Sequence, residues 1–344
     1  MEDKDMLELL KNLAEIPGPV GHEDQVQQAI EKDWKKQGFK TSRDKIGNLY
    51  GRLEGSGPHW AILGHSDSIG FIVQQILPDG FLKLAPNNAA APPDARFLPG
   101  VPLKFLTPNG AIEGHFGLRC GHLISADNRK DPVVFDDMFI DLGLDSRDAV
   151  KALGIDIGTD AVFAAPLVQR QENIVGPSMD DRVAGTLQCM LARNLNENED
   201  RPNLTLISSV QEEIGMKGAA AAAKKIDCDA AIVVDVGLTG DIPTSKNDYM
   251  ETKLGGGPTI VYKDFSIHYA PDLINKLEKK AEKSKIPFQK GIFKNYNADG
   301  VHFFQQGIPT ALLAIPCRYT HTPFETVRLS DLMNTFNLLY KVIV

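Results

Sequence analysis

The chain has 344 residues and a formal net charge of −8, with 42% hydrophobic and 24% charged residues. This length suits one catalytic domain carrying an insertion, and the composition is that of an ordinary globular protein. The acidity and the lack of a basic stripe argue against nucleic acid as a partner, and no run of about 18 apolar residues offers a membrane span.

The N-terminus, Met1-Glu2-Asp3-Lys4-Asp5, is charged and leads into a helical pattern. It has no apolar signal core, so a cytoplasmic location is the expectation. Leu7, Leu10, Leu13 and Ile16 repeat at helical spacing until Pro17-Gly18-Pro19 stops the helix. A second helix starts at His22-Glu23-Asp24, with Val26, Ile30 and Trp34 on one face. Strands are expected over Leu49–Leu53 and Ala61–Gly64. After residue 170 a helix is expected over Asp181–Asn194, a strand over Leu204–Val210 and a helix over Met216–Lys225. A buried strand follows at Ala230–Val236 and a helix at Pro271–Ser284. A strand at Thr310–Ile315 and a last helix from Leu329 to about Ile343 complete the series. This alternation implies an α/β fold, a mostly parallel sheet flanked by helices on both faces.

Residues 71–164 read differently. Short β-like runs (Phe71–Ile76, Phe81–Leu84, Val101–Phe105, Ala111–Phe116, Met138–Leu142) are separated by Pro92-Pro93, Pro99-Gly100 and Pro108-Asn109-Gly110. That is turn chemistry, and one helix is expected there, at Ser146–Leu153. The organisation is therefore a catalytic domain of residues 1–70 plus 165–344, interrupted by a small β-rich domain at 71–164. Cys120, Cys189, Cys228 and Cys317 are far apart and form no C-x-x-C pair. They read as buried reduced thiols rather than a disulfide or structural zinc framework.

Charged and imidazole side chains recur at the ends of the apolar runs. His65 ends one strand and has Asp67 two residues on, able to fix the ring's tautomer. Asp180-Asp181 opens a helix, where backbone N–H groups favour anions. Glu212-Glu213 leaves the Leu204–Val210 strand, where one carboxylate can bind a cation while its neighbour holds a proton. Asp235 sits in the Ala230–Val236 strand, and His321 follows the Thr310–Ile315 strand. Taken singly these are a core histidine, a helix cap, an acidic turn and a loop histidine. Together they supply the anionic oxygens and two imidazoles that a pair of divalent metals needs. His59, His115, His122, His268 and His302 read as structural, with His302, near Asp299, placed at the border of the pocket. Gly255-Gly256-Gly257-Pro258 is a flexible loop, not a phosphate cradle, and no G-x-S-x-G nucleophile elbow occurs.

The order H-x-D, D-D-R, E-E-x-G, strand-end Asp and R-Y-x-H resembles the dinuclear metallo-aminopeptidases of metallopeptidase family 42, the glutamyl, deblocking and TET type. The resemblance runs from about Leu7 to Leu338. It implies a zinc-exopeptidase-like fold with a PDZ-like inserted dimerisation domain, and dimers assembled into a tetrahedral dodecamer. It implies His65, Asp180 and Asp235 as ligands of one metal, and Glu213, His321 and again Asp180 as ligands of the other. Glu212 is the implied general base and Asp67 the residue behind His65. The implied cofactors are two divalent ions per chain, zinc or cobalt, with manganese also accommodated. The implied substrates are short peptides with a free N-terminus. Two departures, Ser68 in place of an acidic residue and Asn297-Ala298-Asp299 in place of Gly-Thr-Asp, fall where side-chain preference is set. The alternatives are a dinuclear deacylase of N-acyl amino acids and a non-catalytic scaffold on a peptidase fold. Arg318 or Lys253 would favour acidic substrates unless engaged in structural ion pairs.

Overall fold

Four near-continuous apolar runs lie side by side and parallel at the centre of the molecule's large sheet, in the order Pro202–Ser209, Ser56–His65, Ala230–Leu238, Thr310–Cys317. Strands buried on both faces need such composition, because helices cover both sides of a parallel sheet. The computed structural model describes residues 2–88, 92–125, 130–195, 201–243 and 250–344. Among these, the large sheet has eight strands. Its outer members are Lys40–Arg43 and Leu49–Leu53 on one side, Thr259–Lys263 and Gln289–Ile292 on the other. Leu49–Leu53 and Thr259–Lys263 each run antiparallel to their central neighbour. The sheet is thus mostly parallel rather than wholly so.

The expected helices at Pro271–Ser284 and Leu329–Ile343 occur with those bounds, and Glu2–Ala14 and Asp24–Lys36 form the first two. Met6, Leu10 and Leu13 of the first and Val26, Ile30 and Trp34 of the second are buried in the same core as Ile62, Leu206 and Val234. The helix at Met179–Leu195 is buried on nearly every face. The Lys40–Arg43, Thr259–Lys263 and Gln289–Ile292 strands were not expected from the sequence. They are short and lie at or near the edge of the sheet, where period-2 burial is weak.

Two compact units account for the described chain: Met1–Ser68 with Leu167–Thr320 and Phe324–Val344, and Ile69–Pro166 with His321–Pro323. The second is built on a closed barrel of six strands, in the order Phe71–Ile76, Leu82–Pro86, Phe139–Asp141, Gly110–Gly117, Pro102–Thr107, Asp160–Phe163. Its core is apolar and aromatic, with Phe71 edge-on to Phe116 at 5.1 Å and to Phe163 at 5.6 Å. Closure leaves no sheet edge exposed, which suits a small β domain. The expected helix there spans Arg147–Ala152 and starts with Ser146 Oγ accepting from Ala149 N at 3.2 Å.

The four cysteines are unpaired with one another, but only Cys189 and Cys317 are buried. Cys120 is exposed and Cys228 half-buried, which corrects the sequence expectation. Cys120 lies in a surface loop whose Leu123 is also exposed, outside the apolar core of the barrel. No helix among the described residues is long and apolar enough to cross a membrane.

Candidate metal centre

Parallel strands send their carboxyl ends to the same edge of a sheet, and ligand sites gather there. Here that edge carries His65, the last residue of its strand, and Asp235, six residues into its own. The pairing of Leu63 with Val233 sets the register, and two residues further along each strand come His65 and Asp235. Ser209 pairs with His65 on the other side, and Gln211-Glu212-Glu213 leaves the sheet just beyond it. The period of two thus points His65 and Asp235 to one face of the sheet.

Asp180 and Asp181 arrive from the first turn of the Met179–Leu195 helix. Neither has helical backbone angles, so this turn is kinked away from the sequence expectation of a regular helix start. The peptide bond between them is cis. Asp180 Oδ1 lies 2.9 Å from His65 Nε2, and Oδ2 accepts from Thr320 Oγ1 at 2.9 Å. Asp180 N donates to Glu325 Oε2 at 3.2 Å. Asp181 turns the other way and accepts from His65 N and Ala184 N, each at 3.2 Å. Gly64 makes this approach feasible. A Cβ there would stand 2.3 Å from Ala184 Cβ and 3.1 Å from Asp181 Oδ2.

His65 Nδ1 faces the Asp67 backbone carbonyl at 3.1 Å and Asp67 Oδ1 at 3.4 Å, which leaves Nε2 toward Asp180. Asp67 also accepts Glu212 N at 2.9 Å and Glu213 N at 3.0 Å, one on each oxygen. One carboxylate therefore orients both the imidazole and the turn that carries the two glutamates.

His65, Asp180 and Asp235 each offer one ligand atom, all within 4.8 Å of one another. Asp180, Glu213 and His321 meet the same limit. Asp180 belongs to both groups. His65, Asp180, Asp235 and Glu213 are buried, while Glu212 and His321 are half-buried. Ser178, Gln211, Tyr319 and His321 have φ of 62°, 55°, 61° and 64°. Non-glycine residues held in that region cost of the order of 1–3 kcal/mol each, and such strain gathers at functional sites.

The electrostatics of the cluster are unfavourable as it stands. Burial pushes the Asp235 carboxyl up to about 8, with Asp180 adding to the effect and His65 opposing it. Burial and Asp235 raise Asp181 well above the carboxylate range. Burial raises Glu212 likewise, with His65 opposing and Asp299 reinforcing. Asp299, buried and hydrogen-bonded by Ser209 Oγ, is raised to about 6. For His65, burial pulls downward, but its bonds to Asp180 and Asp67 win and raise it well above the ordinary imidazole value. Crowded carboxylates that resist ionising together gain most from a cation placed among them. The only buried lysine or arginine among the described residues is Arg182, held down to about 10 by burial. It donates to backbone carbonyls of Leu13, Ile16 and Ser66 rather than to a carboxylate. The oxygen and imidazole donors thus fit divalent metal ions.

The family model described as M42 glutamyl aminopeptidase matches residues 47–338. The chain belongs to this family. As an M42 member it is a metal-dependent aminopeptidase, a peptide hydrolase. It is 30% identical to the lysyl aminopeptidase of Pyrococcus furiosus over 96% of this chain and 94% of that one. An aminopeptidase structure from the archaeon Desulfurococcus kamchatkensis superposes with a TM-score of 0.92 at 30% identity, covering 100% of this chain and 95% of that one. The TET1 peptidase of Pyrococcus horikoshii, which assembles into a tetrahedron or a large octahedral shell, gives a TM-score of 0.86 at 27% identity, covering 98% and 99%.

Within this M42 chain, Arg318 grips Asp241 through two hydrogen bonds of 2.9 and 2.5 Å, the structural ion pair rather than a substrate-facing cation. Lys253 is exposed, and its backbone is tied to Gln289. His302 is half-buried, its backbone N donates to Asp299 O at 3.3 Å, and Lys217 and Lys224 are its charged neighbours. Sequence reading missed Thr320 and Glu325, which hold Asp180. A threonine between Tyr319 and His321, and a glutamate in a short late strand, carry no motif of their own.

Proposed function

We propose that this M42 aminopeptidase releases the N-terminal residue from short peptides with a free α-amino group, using Glu212 as the proton carrier. The observation that carries this reading is the pair of three-ligand groups sharing Asp180. His65, Asp180 and Asp235 would hold one divalent ion, and Asp180, Glu213 and His321 a second. Bound there, two divalent ions supply Lewis-acid polarisation of the scissile carbonyl and acidify water.

The remaining work falls to the chain itself. Glu212 accepts the proton of the attacking water and delivers it to the departing amine. Its carboxyl, raised by burial, is suited to holding a proton between those two events. Asp67 fixes the backbone of Glu212 and Glu213 and the ring of His65, so neither glutamate must be reoriented during turnover.

The inserted barrel is proposed as a PDZ-like dimerisation module, and the chain as a homo-oligomer that builds toward a dodecamer. The mixed oxygen and nitrogen donors accept zinc, cobalt or manganese.

The test is metal analysis joined to a release assay. Unblocked and N-acylated peptides are incubated with chelated protein to which each metal is returned in turn. Two dications per chain, with free amino acids released only from unblocked peptides, is the expected result. Release only from acylated substrates would replace the reading with the deacylase. No release with any metal, despite full binding, would leave a scaffold.

A further inference from the structure

The turn Gln211-Glu212-Glu213 leaves the sheet where strand pairing has ended at Ser209, so its amide groups need acceptors from elsewhere. Asp67 takes two of them, as described. The third, Gln211 N, donates to Glu23 Oε1 at 3.2 Å, and the same oxygen accepts Gly21 N at 2.8 Å. Three consecutive amides are therefore held by two carboxylates. Glu23 is 5% exposed and begins the segment leading into the Asp24–Lys36 helix, before the stretch matched by the family model. From the next turn, Gln27 Nε2 donates to Ser208 O at 2.9 Å, so the helix start grips this strand on both sides of its end.

The clamp is itself braced. Arg182 Nη1 donates to Ser66 O at 2.5 Å, next to Asp67, and Nη2 to Ile16 O at 3.3 Å, next to the Pro17-Gly18-Pro19 turn. Gly18 has to be a glycine here, because a Cβ would come within 2.7 Å of both Arg182 Nη2 and Val26 Cγ2. Ser68 N in turn donates to Gly18 O at 2.9 Å. The N-terminal turn and the Asp67 loop are thus tied to one buried guanidinium.

We propose that Glu23 is a positioning residue for Glu212, the partner of Asp67 in a two-carboxylate clamp on the turn Gln211–Glu213. This rests on the reading of Glu212 as proton carrier. Gln211 holds φ 55°, a conformation that relaxes unless its surroundings enforce it. A reacting group displaced by about 1 Å loses on the order of 100-fold in rate. The Glu23 carboxylate accepts from the backbone amides of Gly21 and Gln211, so its effect on Glu212 acts through the backbone of its neighbour.

Reach and charge are separable. Glu23→Gln keeps an oxygen at the same distance without the charge, whereas Glu23→Asp keeps the charge and shortens the arm by one methylene. Steady-state kinetics on an aminoacyl anilide with a free amine, metal content and amide hydrogen exchange of the segment 210–216 are measured for both. Glu23→Asp is expected to lower kcat at least tenfold with KM within threefold and metal content unchanged, and to speed exchange at Gln211. Glu23→Gln is expected to stay within threefold of the parent in kcat and exchange. Equal loss in both variants, or kcat within twofold of the parent for Glu23→Asp, would overturn the clamp. If the parent itself were inactive, the aminopeptidase reading would fail, and the exchange pattern in the metal-free protein would still decide the clamp.

Discussion

Carboxylates at the rim of the large sheet and carboxylates at the ends of its central strands have opposite surroundings. At the rim Glu31 meets Lys35 Nζ at 2.8 Å, Thr41 Oγ1 at 2.9 Å and Arg43 Nε at 3.1 Å. The bond to Lys35 leads in holding its carboxyl below the ordinary value. At the centre Asp235, Asp181, Glu212 and Asp299 are raised, with burial as the leading cause and no lysine or arginine among their direct partners. The rim spends its acidic residues on joining the Asp24–Lys36 helix to the Lys40–Arg43 strand. The centre keeps acidic residues together at a cost in stability. Natural proteins accept such a cost where chemistry needs the groups.

The largest effect expected from this contrast is at Glu212. Glu212→Gln removes the proton carrier and one member of the crowd. Turnover should fall by roughly 10²–10⁴-fold, about 3–5 kcal/mol in barrier, as for loss of a general acid–base group. Thermal denaturation should show no loss of stability. A variant with parental turnover, or one that unfolds earlier while losing activity in proportion, would erase the distinction between the two regions.

Metal return should act next in size on stability, besides restoring the turnover that chelation removes. Ligands that bind only the folded state stabilise by about 2.7 kcal/mol at 100 times Kd and about 4 kcal/mol at 1,000 times Kd. Adding zinc or cobalt to chelated protein should therefore raise the denaturant midpoint. The same metals should leave the midpoint of a variant lacking Asp180 and Asp235 where it was. An equal rise in both proteins would mean that the central carboxylates are not what the metal neutralises.

The smallest effect is at the rim. Glu31→Gln should cost under about 1 kcal/mol, since Lys35 is largely solvated and such helix pairs contribute little. The folded carboxyl is depressed, so its contribution is present above pH 4.5 and disappears as pH falls through the folded value. Denaturation curves of parent and variant should converge on acidification, with activity per folded molecule unchanged at neutral pH. Curves that diverge as pH falls would reverse the sign assigned to the rim.

Much of this architecture was legible beforehand. The Phe71–Ile76 strand lies between Gly70 and the turn Pro78-Asp79-Gly80, a proline opens the Pro271–Ser284 helix, and the Leu329–Ile343 helix was legible from its apolar period alone. The acidic and imidazole segments were readable from residue type and strand or helix ends. The choice of Asp180 over Asp181 and Glu213 over Glu212 came only from the family resemblance, and the fold brings His65, Asp180, Glu213, Asp235 and His321 into two groups that share Asp180. The kink at Asp180 and Asp181 was not readable, because a helix-favouring acidic first turn looks the same straight or bent. Arg182 read only as part of a motif, and nothing near it in sequence announces that it would be buried on three backbone carbonyls.

The sequence by itself determined the central strands, the long helices and which side chains are of a type that can bind a metal or carry a proton. These depend on residue type and local period. Tertiary structure alone decided what holds those side chains in place. Glu23 reaches Gln211 across 188 positions and Asp67 reaches Glu212 across 145. Both bonds end on backbone N–H groups, which every residue but proline possesses, so no pattern of residue types marks the recipient.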